Sequence, residues 1–230
     1  MPTPDSTDDL DVEVVRSARA RRVAVRVDRV TGRVRVTLPE RAAAAEADRA
    51  LYRHRRWIAA RLAEAAEIRA QVEARGDRLS VWGEELRLVE EPGRQRVHRR
   101  GDDLLVPPGG GPALERWLRA QARARLTPLT EQAAAALGRP LARVSIGDAK
   151  TRWGSCTAKG TITFSWRLVL APPWVAEAIV WHEACHLVHL NHSTRFWTLL
   201  RRHEPRTDAA RAWLRGSGAT LVLPALAPTT

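Results

Sequence analysis

The amino-acid sequence predicts an α+β protein. Short segments alternate apolar and polar residues with period two, as Val23, Val25 and Val27 do against Arg22, Arg26 and Asp28. Two long Ala-, Glu- and Arg-rich stretches carry apolar residues at helical spacing instead. Six of the nine tryptophans lie from Trp153 onward, and five of the seven histidines lie between 182 and 203. The aromatic core and the histidine chemistry are therefore expected together, in the last third of the chain.

The 230 residues are enough for one domain, or one catalytic domain with a smaller appendage. A composition of 44% hydrophobic and 28% charged residues excludes disorder of the whole chain. Net charge is +12, and Lys150 and Lys159 are the only lysines. Residues 16–61 hold 14 arginines against Asp28, Glu40, Glu46 and Asp48. Such a basic segment is a pointer to polyanions or acidic partners. Cys156 and Cys185 form neither a disulfide framework nor a CxxC site. The opening MPTPDSTDDLD lacks the basic and apolar regions of a secretory signal, and no run approaches 18 apolar residues. The expectation is a cytoplasmic protein with reduced thiols and no membrane partner.

Residues 1–11, acidic and proline-containing, are expected to be a disordered tail. Residues 12–108 are expected to form an N-terminal β-rich subdomain. Strands on either side of Thr31-Gly32 form a hairpin, and a long connecting helix spans 40–75 with Gly76 as its cap. Short strands follow at 79–82, 86–89, 96–98 and 104–106. The run Pro107-Pro108-Gly109-Gly110-Gly111-Pro112 is the strongest break, and the subdomain boundary is placed there. A catalytic core over 109–215 begins with a helix at 113–137, closed by Gly138 and Pro140. The strand at Thr161–Trp166 is expected to pair, as a hairpin, with the segment Val144 to Gly154. Residues 216–230 are expected as a C-terminal tail.

Pro172 and Pro173 suit the start of a buried helix that contains His182-Glu183-Ala184-Cys185-His186. Residues four apart on a helix project from one face, so His182 and His186 can converge on one ion. Glu183, beside the first ligand, is placed to accept a proton from water at the metal. A zinc enzyme needs a third protein ligand and one open position. His192 is preferred for it, with Asn191 turning the chain by a left-handed conformation and Ser193 capping the next helix. Glu204 competes, 18 residues after His186, but sits in the charged helix end Arg-Arg-His-Glu-Pro. His189 lies a turn beyond His186 and is read as a supporting or surface histidine. Arg152, Trp153, Gly154 and Ser155 precede a half-buried strand that can receive an extended peptide, and Arg152 is a candidate donor to the oxyanion. Both cysteines are read as buried small hydrophobes.

With these residues in hand, the chain resembles the YgjP-like metallopeptidases. The likeness is carried by Arg152-Trp153-Gly154-Ser155-Cys156, Lys159-Gly160-Thr161-Ile162, Trp166-Arg167-Leu168, the HExxH segment, and Asn191-His192-Ser193-x-x-Phe196-Trp197. It extends over residues 12–215, with Leu38-Pro39 and Arg55-Arg56-Trp57-Ile58 in the N-terminal part. Trp181 and Cys185 are small departures. The resemblance implies a minimal zincin-like core, a zinc metalloendopeptidase activity, His182, His186 and His192 as ligands, and Glu183 as general base. WLM and SprT-like zincins are similar, and some act on proteins bound to DNA.

Zn2+ and a protein or peptide substrate are thus the expected cofactor and partner. Two other readings remain at this point. One is a nucleic-acid-binding protein, even a DNA-associated protease, working through Arg16, Arg19, Arg21, Arg22, Arg26, Arg33 and Arg35, plus Arg53, Arg55, Arg56 and Arg61 on the helix. The other is a non-catalytic zinc site whose fourth position is filled by Cys156 or Glu204.

Overall fold

The computed structural model describes residues 11–149 and 151–223. The expected disordered tail, apart from Asp11, and the last seven residues of the expected C-terminal tail lie outside this range. The fold is α+β, and the described residues divide after Ala74 into two compact units.

The first unit contains β1 (Val12–Ser17), β2 (Ala24–Val27), β3 (Val34–Pro39) and α1 (Ala45–Ala74). β2 and β3 form the expected antiparallel hairpin, with Val27 opposite Val34. β1 joins the other side of β3 in parallel, a pairing that alternation along β1 alone does not specify. The inward residues Val34, Val36 and Leu38 meet Ala47, Leu51 and Ile58 of α1. The arginines of this unit are not all free. Arg16 donates to the carbonyls of Glu40 and Ala42 at 2.8 Å each. Arg33 and Arg35 pair with Asp11 and Glu13. Of the arginines that suggested a polyanion partner, Arg16, Arg33 and Arg35 are thus engaged within the unit, as is Arg61 with Glu64, while Arg19, Arg21, Arg22 and Arg26 stay exposed.

In the second unit, β4 (Arg78–Val81), β5 (Glu84–Glu90), β6 (His98–Arg100) and β7 (Asp103–Val106) form a sheet in the order β4-β5-β7-β6. Its inward residues Leu79, Val81, Leu86, Leu88, Leu104 and Val106 share one core with α2 (Gly111–Ala136). Apolar burial therefore runs straight through the Pro/Gly run at 107–112. The expected boundary at 108 is a tight connection inside one core, and the packing divides the chain at Ala74 instead.

β8 (Arg143–Gly147), β9 (Gly154–Cys156) and β10 (Thr161–Ser165) form a second small sheet in the order β8-β10-β9. The expected hairpin is confined to β9 and β10, with Phe164 opposite Gly154. β8 pairs with β10 in parallel, so the segment 144–154 is not one hairpin arm. A 3-10 turn over Trp166–Leu170 leads into α3 (Pro173–Cys185), whose Val175, Ala176, Ala178, Ile179, Val180 and Ala184 are all buried. The β4–β5 turn helps to place its start. Trp82 and Gly83 both have positive φ, at 55° and 83°, and a Cβ on Gly83 would come within 3.2 Å of the Pro173 ring.

α4 (Thr194–His203) and α5 (Thr207–Ser217) close the core. The start of the expected C-terminal tail is packed: Leu221 is buried, and Arg75 donates to the Val222 carbonyl at 2.7 Å. Between α4 and α5, Glu204 is 2% exposed and accepts from the Arg206 side chain at 2.8 and 2.7 Å. Arg206 also reaches Glu177 of α3 at 3.1 Å. The hydrogen bonds from Arg206 hold the Glu204 carboxyl below its ordinary value of 4.5, against the effect of burial. A carboxyl whose pKa is depressed on folding stabilises the protein above its unfolded pKa and ceases to as pH falls through its folded value. Denaturant melts at pH 7 and pH 3 should therefore show E204Q less stable than wild type by about 2 kcal/mol at pH 7. At pH 3 that gap should narrow. An equal gap at both pH values would remove the charged pair as its source.

Candidate metal centre

The last turn of α3 presents His182 and Glu183, and His186 is its C-terminal cap. The helix ends earlier than the sequence suggests. Its hydrogen bonding tightens to i→i−3 contacts, with the amides of His186, Leu187 and Val188 donating to the carbonyls of Glu183, Ala184 and Cys185. Asn191 does not turn the chain by a left-handed conformation. Among the described residues, Trp82 is the only non-glycine with positive φ. The Asn191 side-chain oxygen instead accepts from the Ser193 amide at 3.3 Å, an Asx-type turn. Ser193 occupies the N-cap of α4, but its hydroxyl makes no capping bond.

This turn returns His192 to the helix. The Nε2 atoms of His192 and His182 are 3.0 Å apart. One donor atom from each of His182, His186 and His192 lies within 4.8 Å of the others. A tetrahedral Zn2+ with bonds of about 2.0–2.1 Å to imidazole separates its ligands by roughly 3.4 Å, so the spacing fits a single ion. The His186 Nδ1 is 2.9 Å from the His189 carbonyl, which fixes that ring and leaves Nε2 for a metal. His189 therefore contributes through its backbone rather than its ring.

The donors suit a cation in their charge state too. Burial, then the neighbouring His186 and His192, lowers His182 to about 3. Burial likewise lowers His186. Beneath them lies Phe196 of α4, fully buried, with its ring 4.6–5.0 Å from all three imidazoles. Trp197 stacks on His192 with ring centroids 5.5 Å apart. Both aromatics stand in the motif that carried the family resemblance, but their supporting role depends on α4 crossing under the histidines, which spacing does not show.

Glu204 lies apart from this group, bound to Arg206, and so does not serve as the third member. Cys185 is fully buried beside Phe196 and Leu200. Cys156 is partly exposed, and burial followed by the charge of Glu183 raises its thiol to about 11.

The Glu183 carboxylate is 6% exposed, and no hydrogen-bond donor reaches it among the described residues. Burial lifts it to about 7, with Arg152 acting in the opposite direction. Its closeness to β9 has a visible cause in Gly154. A Cβ at that position would sit 2.6 Å from both Cγ and Oε1 of Glu183. G154A must push the carboxylate aside, and if Glu183 is the general base expected from the sequence, a displacement of about 1 Å should cost roughly 100-fold in turnover. Metal stoichiometry of G154A should equal that of wild type; a parallel loss of metal would mean that the strand supports the ligands instead. Of the four residues predicted to meet substrate, the structure brings Arg152 and Gly154 to Glu183. Trp153 turns toward Gly218, where an added Cβ would be 2.8 Å from its ring, and Ser155 pairs with Thr163 of β10.

Comparison with known proteins adds three findings. Residues 21–217 match the family described as YgjP-like, metallopeptidase domain. No curated protein matches the chain. Among solved structures, the crystal structure of the metallopeptidase zymogen of Pyrococcus abyssi abylysin is 26% identical. That match covers 39% of this chain and 93% of the other, with a TM-score of 0.36. No helix among the described residues is long and apolar enough to cross a membrane.

Proposed function

The chain belongs to the YgjP-like metallopeptidase domain family, and from that premise we propose that it is a zinc-dependent endopeptidase with Glu183 as its general base. The family implies a metal ion and protein or peptide substrates. The observation that carries the finer reading is the convergence of His182, His186 and His192 beside a buried Glu183 that has no hydrogen-bond partner among the described residues.

Three neutral imidazoles would hold the ion, which when bound supplies Lewis acidity to the scissile carbonyl and to the attacking water. Glu183 takes the proton of that water and passes it to the leaving amine. Its poise near neutrality, set by burial, suits both halves of the transfer. β9 lies at the edge of its sheet, beyond β10, so an extended peptide can align along it and be held by main-chain hydrogen bonds. Gly154 on that strand lets the peptide, the base and the strand backbone approach one another closely. Arg152 is the candidate donor to the developing oxyanion.

The test is metal analysis of the purified protein together with peptide cleavage before and after chelation. One zinc per chain is expected, with cleavage abolished by chelator and restored by added Zn2+. Turnover that survives complete metal removal would reject the reading. Thiolate absorption on substitution with Co2+ would favour a closed, non-catalytic site that includes Cys156.

A further inference from the structure

We infer that Arg211 of α5 is a specificity-determining residue of this site, binding a carboxylate of the peptide beside the scissile bond. The inference rests on the peptidase reading above and names the kind of substrate it takes.

Its position is the first support. The Arg211 guanidinium lies 4.6 Å from the centre of the Trp197 ring. That ring is 5.5 Å from His192 and 6.0 Å from His182. A cation over an aromatic face is held without using its N–H groups, so the planar fork stays available for a bidentate carboxylate.

Availability is the second. The side chain is 45% exposed, and its ion-pair partner, Asp208, is 3.7 Å away. Asp208 has a closer partner in Arg201, at 3.0 Å. Arg201 sits farther from the Trp197 ring than Arg211 does, at 5.7 Å. Arg211 is thus the less committed of the two and the nearer to the histidines' aromatic support.

Charge balance is the third. On the strand side, Arg152 stands two residues before β9, is exposed and has no ion pair among the described residues. Arg152 before β9 and Arg211 beside Trp197 thus add positive charge to the surroundings of the histidines, and a bound metal ion would add more. A substrate that brings its own carboxylate completes this arrangement; one that brings a cation meets repulsion. The carboxylate has two sources, an Asp or Glu side chain or the peptide's free C-terminus.

The two are separable with four labelled alanine-based decapeptides, carrying a central Glu or Gln and a free or amidated C-terminus. Binding is measured by anisotropy to zinc-loaded E183Q and to the same protein with R211Q or R211K added. Cleavage of the same peptides is measured with zinc-loaded wild type and the single Arg211 variants. Either the Glu/Gln pair or the acid/amide pair should differ roughly tenfold in affinity, and whichever does names the source. R211Q should erase that ratio and R211K retain part of it, with zinc content unchanged. If R211Q does not fold, R211K alone must still reduce the ratio. Unchanged ratios in the variants, equal weakening toward all four peptides, or no binding of any of them overturns the proposal. Arg211-dependent binding without cleavage by wild type would leave it standing and reject the peptidase. Cleavage without an Arg211-dependent ratio would do the reverse.

Discussion

Replacing Glu183 with glutamine is expected to lower peptide hydrolysis about 1000-fold while the protein keeps its zinc. Glutamine is nearly isosteric, so the buried space against Gly154 stays filled and the α3 turn that carries His182 and His186 is undisturbed. What is lost is a proton acceptor. A carboxylate takes the proton of water and returns it as an acid, and an amide does neither. The variant must be compared at equal metal content, because a fall in zinc would give the same loss of rate for another reason. Turnover at the wild-type rate with full zinc would sink the mechanism.

The second large effect concerns the third donor. H192A is expected to lose zinc binding by 100-fold or more, and activity with it, while E204Q retains both. His192 stands 3.0 Å from His182 on a turn held by Asn191, whereas Glu204 is occupied with Arg206. Competition with a chromophoric chelator measures both affinities directly. Should E204Q lose zinc and H192A keep it, the ligand set is His, His and Glu, and the histidine cluster would need another explanation.

The histidines were legible in the sequence because their placement follows from geometry a sequence encodes: a four-residue step on a helix and a turn after it. The turn itself was only half legible. Asn191 was the right residue, but its side-chain acceptor shapes the loop rather than a left-handed backbone. Alternation located β10, yet not that β8, inside the segment expected as a hairpin arm, runs parallel to it, since such a pattern serves either direction. The Pro/Gly run at 107–112 reads locally as a boundary, while Leu104, Val106 and Leu114 on either side of it lie in one core. Burial is a tertiary property that punctuation does not report. Arg211 shows the same limit: one of 36 arginines in the sequence, it stands out only once α5 places it beside Trp197.

Phe196 gives the site one more property. Its ring contacts all three imidazoles and is itself anchored with Cys185 and Leu200, out of reach of solvent. The positions of the three rings are therefore supported by hydrocarbon packing from within the chain. On the zinc-peptidase reading, rings held by packing have little conformational entropy left to lose when an ion binds, so chelation is expected to remove activity and leave the fold intact, which circular dichroism with and without chelator checks.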